Sequence, residues 1–263
     1  MKHWIRVAVL IIILSLGVIF RENTQTEEIV LPKNEIVEEK KEIKKTIAVV
    51  ADIHDDNETL KKAIEKMKEN GVSLLLVAGD LTINGKETEL KIVKETLENG
   101  GIDYLVTPGN HDIYLNKYQG IFERNYLSTV KDNLKIILID NSNWRGLGDE
   151  QKKWIESESR DCLKINCLVV MHKPLGHYLT KHVMGENSEK VTAEAEWLND
   201  LLLENKVNQI YVGHLHFNSV YQYLGMETTV VGAISKQRNN QTPRYLELGW
   251  DGEKFVSKVI VLE

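Results

Sequence analysis

From Thr46 onward, apolar β-branched runs alternate with amphipathic segments, and this alternation restricts the fold more than any other property of the chain. "TIAVVAD" (46–52) ends at a carboxylate. "NETLKKAIEKMKENG" (57–71) follows, with Leu60, Ile64 and Met67 at helical spacing and Gly71 where a helix stops. "VSLLLVAGD" (72–80) reads as a second buried strand and "GKETELKIVKETLENGG" (85–101) as a second amphipathic helix. "IDYLVTPGNHD" (102–112) is a third strand running into a tight turn. The pattern continues with "LKIILIDN" (134–141), a helix around "DEQKKWIESES", "NCLVVMH" (166–172), a helix around "EAEWLNDLLLEN", and "NQIYVGHLH" (208–216). Successive βαβ units require parallel pairing with the helices outside. The closing segments "SVYQYL", "METTVVGAI", "PRYLELGW" and "FVSKVIVL" have no long helix between them, which predicts antiparallel or mixed pairing. The expected fold class is α/β: a layered α-β-β-α sandwich of mixed sheets over residues 46–263.

The polar residues are not spread evenly over this pattern. "ADIHDD", "AGDLT", "PGNHD", "MHKP" and "GHLH" each close an apolar strand, and open α/β sheets form sites beyond those carboxyl ends. Of the 8 histidines, His54, His111, His172, His214 and His216 lie in these segments, together with Asp52, Asp80 and Asn110. Singly, each has an ordinary structural reading: an aspartate after a strand caps the next helix, and a strand-end histidine can be a satisfied core residue. Five in order point to one shared site. Asp52 with His54, and His214 with His216, are i, i+2 pairs that an extended chain aims to one side. Two carboxylates, four imidazoles and an amide oxygen exceed what one tetrahedral ion needs and suit two ions sharing a bridging carboxylate. Oxygen and nitrogen donors without sulfur favour divalent or trivalent Mn, Fe, Zn, Ni or Co.

These ordered segments, D-x-H (Asp52, His54), G-D (Asp80), G-N-H-D (Asn110, His111, Asp112), His172 and G-H-x-H (His214, His216), resemble those of the calcineurin-like metallophosphoesterases over residues 46 to 235. "GDLTINGKETE" and "IDNSNWRGLGDEQKKWIE" also resemble the branch holding class III cyclic-nucleotide phosphodiesterases. The resemblance implies that Asp52, His54 and His216 hold one metal, Asn110, His172 and His214 a second, and Asp80 bridges both. It implies hydrolysis of phosphate mono- or diesters by attack of a metal-bridging hydroxide. His111 is then the general acid, and Asp112 orients and charges its imidazole. A non-catalytic scaffold of the same fold is the competing expectation.

Outside the domain, "MKHWIRVAVLIIILSLGVIF" places Lys2 and Arg6 before an apolar run from Val7 to Phe20. It reads as a transmembrane signal-anchor, with a cleaved secretory signal as the alternative, so the domain is expected to lie outside the cytoplasm, membrane-anchored or secreted. Residues 21–45 mix both signs of charge and read as a stalk. Cys162 and Cys167, the 2 cysteines, are expected either as a disulfide or as two thiols. The net charge of −6 and the absence of a basic block predict no nucleic-acid partner. The expected substrate is a small-molecule or lipid-linked phosphate ester. In "KPLGHYLTKHVMGENSEKVTAEAE", the polar residues Lys173, His177, Tyr178, Lys181 and His182 read either as a loop over the site or as a solvated surface.

Overall fold

The computed structural model describes residues 46–207, 209–250 and 254–263. Its strands are β1 (Thr46–Val50), β2 (Val72–Ala78), β3 (Asp103–Thr107), β4 (Leu127–Lys131), β5 (Leu134–Leu138), β6 (Asn166–Val170), β7 (Gln209–Val212), β8 (Asn218–Tyr223), β9 (Met226–Val231), β10 (Arg244–Trp250) and β11 (Phe255–Val261). Its helices are α1 (Asn57–Glu69), α2 (Glu87–Gly100), the short α3 (Tyr118–Phe122), α4 (Asp149–Ser159) and α5 (Glu189–Glu204).

The strands form two sheets, in the orders β11-β10-β1-β2-β3 and β4-β5-β6-β7-β9-β8. Both are mixed. β1, β2 and β3 run parallel, as do β5, β6, β7 and β9, while the terminal hairpins pair antiparallel. The period-two alternation of each central strand shows why two sheets stack with helices outside. In β1, Ala48 and Val50 pack on Leu60, Ile64 and Met67 of α1, while Ile47 and Val49 face the other sheet. In β5, Ile136 and Leu138 turn inward, while Ile137 packs in the outer layer with Leu198 and Leu202 of α5. The expected α-β-β-α sandwich is what forms.

The helix ends follow local chemistry. Asp56 caps α1 by accepting from Thr59 N at 3.1 Å. Beside it, Asp55 accepts instead from Ile83 N at 3.0 Å, so its charge ties two site loops together.

Among the described residues no helix is long and apolar enough to cross a membrane. The longest of them, α5, has 16 residues and reaches ~24 Å against the ~30 Å of a hydrocarbon core. This corrects the expectation of a membrane-spanning anchor. The residues behind that expectation, 1–20, and the stalk at 21–45 lie outside the described residues.

Cys162 and Cys167 are joined as a disulfide. The loop it closes is short, so the chain-entropy gain is roughly 2 kcal/mol. The Cys162→Ser/Cys167→Ser double variant is expected to lose about that much stability to urea, with ester turnover at the wild-type level. Turnover falling in step with stability would mean that the bond reaches the site.

Candidate metal centre

Every expected ligand follows the carboxyl end of a strand, and the backbone there is unusual. Asp52 (φ 55°), His54 (46°), Asp80 (51°), His214 (71°) and His216 (55°) all lie in the left-handed region. Such conformations cost about 1 kcal/mol or more each, so long-range bonds must hold them. Those bonds are present. Asp52 N donates to Gly79 O and His54 N to Asp80 O, both at 3.1 Å. His214 N donates to Asp52 Oδ1 and Oδ2 at 3.1 and 3.0 Å, joining the ends of β7 and β1. Gly109 packs so tightly on Asp80 that an added Cβ would collide with the Asp80 side chain and backbone nitrogen.

The donor atoms converge. Single donors from Asp52, His54, Asp80 and His216 all lie within 4.8 Å of one another, and so do those from Asp80, His172 and His214. Asp80 belongs to both groups: its Oδ2 is 3.3 Å from both His54 Nε2 and His172 Nε2. His172 Nε2 is also 3.2 Å from Asn110 Oδ1 and from His214 Nδ1. His216 Nε2 stands 3.7 Å from Asp52 Oδ1. His172 Nδ1 donates to Ala78 O at 2.9 Å, a second bond of the kind that orients a ligating imidazole.

Two observations fit this set to metal ions. Both ring nitrogens of His54 are buried without a hydrogen-bond partner, a costly arrangement unless a ligand claims one of them. The donor set is hard and borderline, nitrogen and oxygen only, which suits divalent first-row ions. The electrostatics agree. Burial pushes the Asp52 carboxyl up to about 7. Burial also pushes Asp80 upward, but the His172 and His54 imidazoles outweigh it and hold this carboxyl well below its usual range. Burial lowers His172, yet Asp80 and Asp52 raise it to about 9. Burial, reinforced by the charge of His172, drives His214 down, and burial lowers His216 to about 4. Asp80 is thus the carboxylate held ionised, His172 carries the balancing proton that a bound ion would displace, and the His214 and His216 imidazoles stay neutral.

His111 and Asp112 sit at one side of this cluster. His111 Nε2 is 4.0 Å from Asp80 Oδ2, and its Nδ1 donates to Ile83 O at 2.6 Å. The carboxylate expected to orient that ring does not touch it. Asp112 is fully buried and accepts from Leu81 N (3.1 Å), Thr82 N (2.9 Å), Thr82 Oγ1 (3.0 Å) and Gly109 N (2.8 Å). It fixes the loop that carries Ile83 and so reaches His111 only through backbone.

The loop after His172 divides. His182 stacks on His214 with ring centroids 4.1 Å apart, whereas His177 and Tyr178 pack against Tyr221 and Tyr223 of β8. Lys173 Nζ donates to Ser142 O at 2.8 Å, and burial lowers its pKa. Three neighbours were not singled out from sequence. Asn141 Oδ1 accepts from His172 N (3.1 Å) and Lys173 N (2.9 Å), and it ends "LKIILIDN", so the strand-end rule could have found it. The Tyr114 ring lies 5.2 Å from that of His111. Arg238 reaches His111 from a loop without a motif.

A model of the family described as calcineurin-like phosphoesterase matches residues 45–218. Among curated proteins, one from Arcobacter nitrofigilis named as a probable glycerophosphodiester phosphodiesterase is 30% identical over 156 residues. That match covers 54% of this chain and 56% of the relative, so the chain spans little more than half of that protein. A probable cyclic nucleotide phosphodiesterase of Ruthia magnifica is 27% identical over 220 residues, covering 73% of this chain and 87% of that one. In fold, the chain is similar to a dimetal phosphatase from Danio rerio, with a TM-score of 0.64 at 14% identity, covering 83% of this chain and 96% of the other. The matched stretch runs from β1 to the start of β8 and contains all seven converging donors, and on that ground the chain belongs to the calcineurin-like phosphoesterase family.

Proposed function

We propose that this protein is a phosphodiesterase acting on small-molecule phosphate esters, with two divalent ions held around Asp80. Asp52, His54 and His216 would hold one ion, and Asn110, His172 and His214 the other. The observation that carries the reading is the sharing of Asp80 between two donor groups. Bound there, the ions would supply Lewis-acid polarisation of the phosphoryl oxygens and activation of water as the nucleophile. His111 is the general acid. With Nδ1 fixed on Ile83 O, its Nε2 faces the cluster and, in the protonated ring, can hand a proton to the leaving oxygen. Both relatives are named as probable phosphodiesterases, which supports diesters as the substrate class. An oxidising, extracytoplasmic setting is the reading that the Cys162–Cys167 disulfide supports.

The test is a panel of aryl phosphate mono- and diesters offered to full-length protein loaded in turn with manganese, zinc, iron, nickel and cobalt. Turnover of diesters is expected, and none at any loading would refute the proposal. The His111→Ala variant is expected to lose on the order of 10²-fold in kcat while retaining its metal. A non-catalytic binding module would be indifferent to that change.

A further inference from the structure

The loop following β9 places a guanidinium at the acid. Arg238 Nη1 lies 3.1 Å from His111 Nε2. Because Nδ1 of that ring donates to Ile83 O, Nε2 is the accepting atom and Arg238 the donor. The loop is tied to the ligand segments themselves. Ser235 N donates to Asp52 O and Asn240 N to His216 O, both at 3.1 Å. Lys236 N donates to Asp56 Oδ2 at 2.9 Å, and the Asn239 side-chain amide donates to Ala233 O and Ser235 O at 2.9 and 3.0 Å. Arg238 is therefore held in register with the cluster by the backbones of Asp52 and His216.

Its charge is unspent. Arg238 is half-buried, and no carboxylate among the described residues pairs with it. An arginine is always protonated and offers five donors in a planar fork matched to carboxylate or phosphate oxygens. A neutral imidazole nitrogen uses one donor and balances no charge. The remaining anion-binding capacity stands beside the atom proposed to protonate the leaving group.

We propose that Arg238 is a substrate-binding residue that takes the non-bridging phosphoryl oxygens, an assignment that rests on the phosphoesterase reading above. In doing so it frees the Nε2 lone pair of His111, which takes up a proton from solvent before it faces the leaving oxygen. The guanidinium stays protonated throughout, and only its hydrogen-bond acceptor changes.

The experiment is calorimetric titration of inorganic phosphate into full-length, manganese-loaded wild type, R238A and R238K, with metal content measured by elemental analysis. Kinetics with an aryl phosphodiester run in parallel. R238A is expected to bind phosphate roughly 10- to 100-fold more weakly and to show a raised KM. R238K, which keeps the charge without the fork, is expected to fall between, and all three proteins should hold equal metal. Wild-type phosphate affinity in R238A overturns the assignment. Loss of metal from R238A also overturns it, because Arg238 would then support the ligands and not the substrate. Phosphate binding that depends on Arg238 in a protein that turns over no ester refutes the enzymatic reading alone. Turnover by wild type with unchanged phosphate affinity in R238A refutes the Arg238 assignment alone.

Discussion

Asp80→Ala is expected to lose metal from both donor groups and to lower diester turnover by about 10⁴-fold or more. A metal ion contributes several kcal/mol of transition-state stabilisation, and each 1.36 kcal/mol is tenfold in rate. Other ligand variants differ from this one. His54 and His216 belong to one donor group only, whereas Asp80 is common to both. Its second carboxylate oxygen matters too: Asp80 Oδ1 accepts from His111 N at 2.9 Å, a bond that Asp80→Ala also removes. Elemental analysis should show both ions depleted in Asp80→Ala, against one in His216→Ala. A variant retaining one tightly held ion at wild-type occupancy would mean that Asp80 serves a single site.

Asp112→Ala is expected to be the most destabilising change near the centre, by about 4 kcal/mol or more. It strands three buried backbone donors, Leu81 N, Thr82 N and Gly109 N, at roughly 1–3 kcal/mol each. An opposing effect reduces the sum. Burial, with repulsion from Asp80, pushes the Asp112 carboxyl up to about 7, so removing this group relieves some electrostatic strain. Three unsatisfied donors outweigh that relief. The Asp112→Asn variant keeps the volume and one acceptor oxygen and should lose less. Chemical denaturation decides the matter: the midpoint should fall with an unchanged m-value, and an Ala variant with the wild-type midpoint would contradict the hydrogen-bond account. Because Asp112 holds Leu81 N and Gly109 N, the backbone next to the donors Asp80 and Asn110, metal affinity should also weaken with stability.

The sequence made most of the domain legible, and the misses have physical causes. The central strands announce themselves because both faces are buried, as in Leu74–Ala78 or Ile136–Leu138. β4 gave no such signal: its pattern is half-buried and it lies at a sheet edge. The four closing strands were readable as strands but not as two hairpins assigned to different sheets, since their alternation is the same in either place. Asp112 was read as the partner of its neighbour His111, and adjacency along the chain misled. Its carboxylate turns instead toward residues 81, 82 and 109, which only the docking of two loops brings near.

Residue type and position at a strand's carboxyl end are local properties, set by periodicity and by which side chains can ligate. From these the chain alone determined its layered α/β class and a set of seven candidate donors. Only tertiary structure could decide that five of those donors take left-handed backbone, that Asp112 holds loop backbone and not the His111 ring, and that Arg238 reaches His111. Each of these depends on hydrogen bonds between segments far apart in sequence, and no short-range pattern encodes which distant strand end or loop a residue will meet.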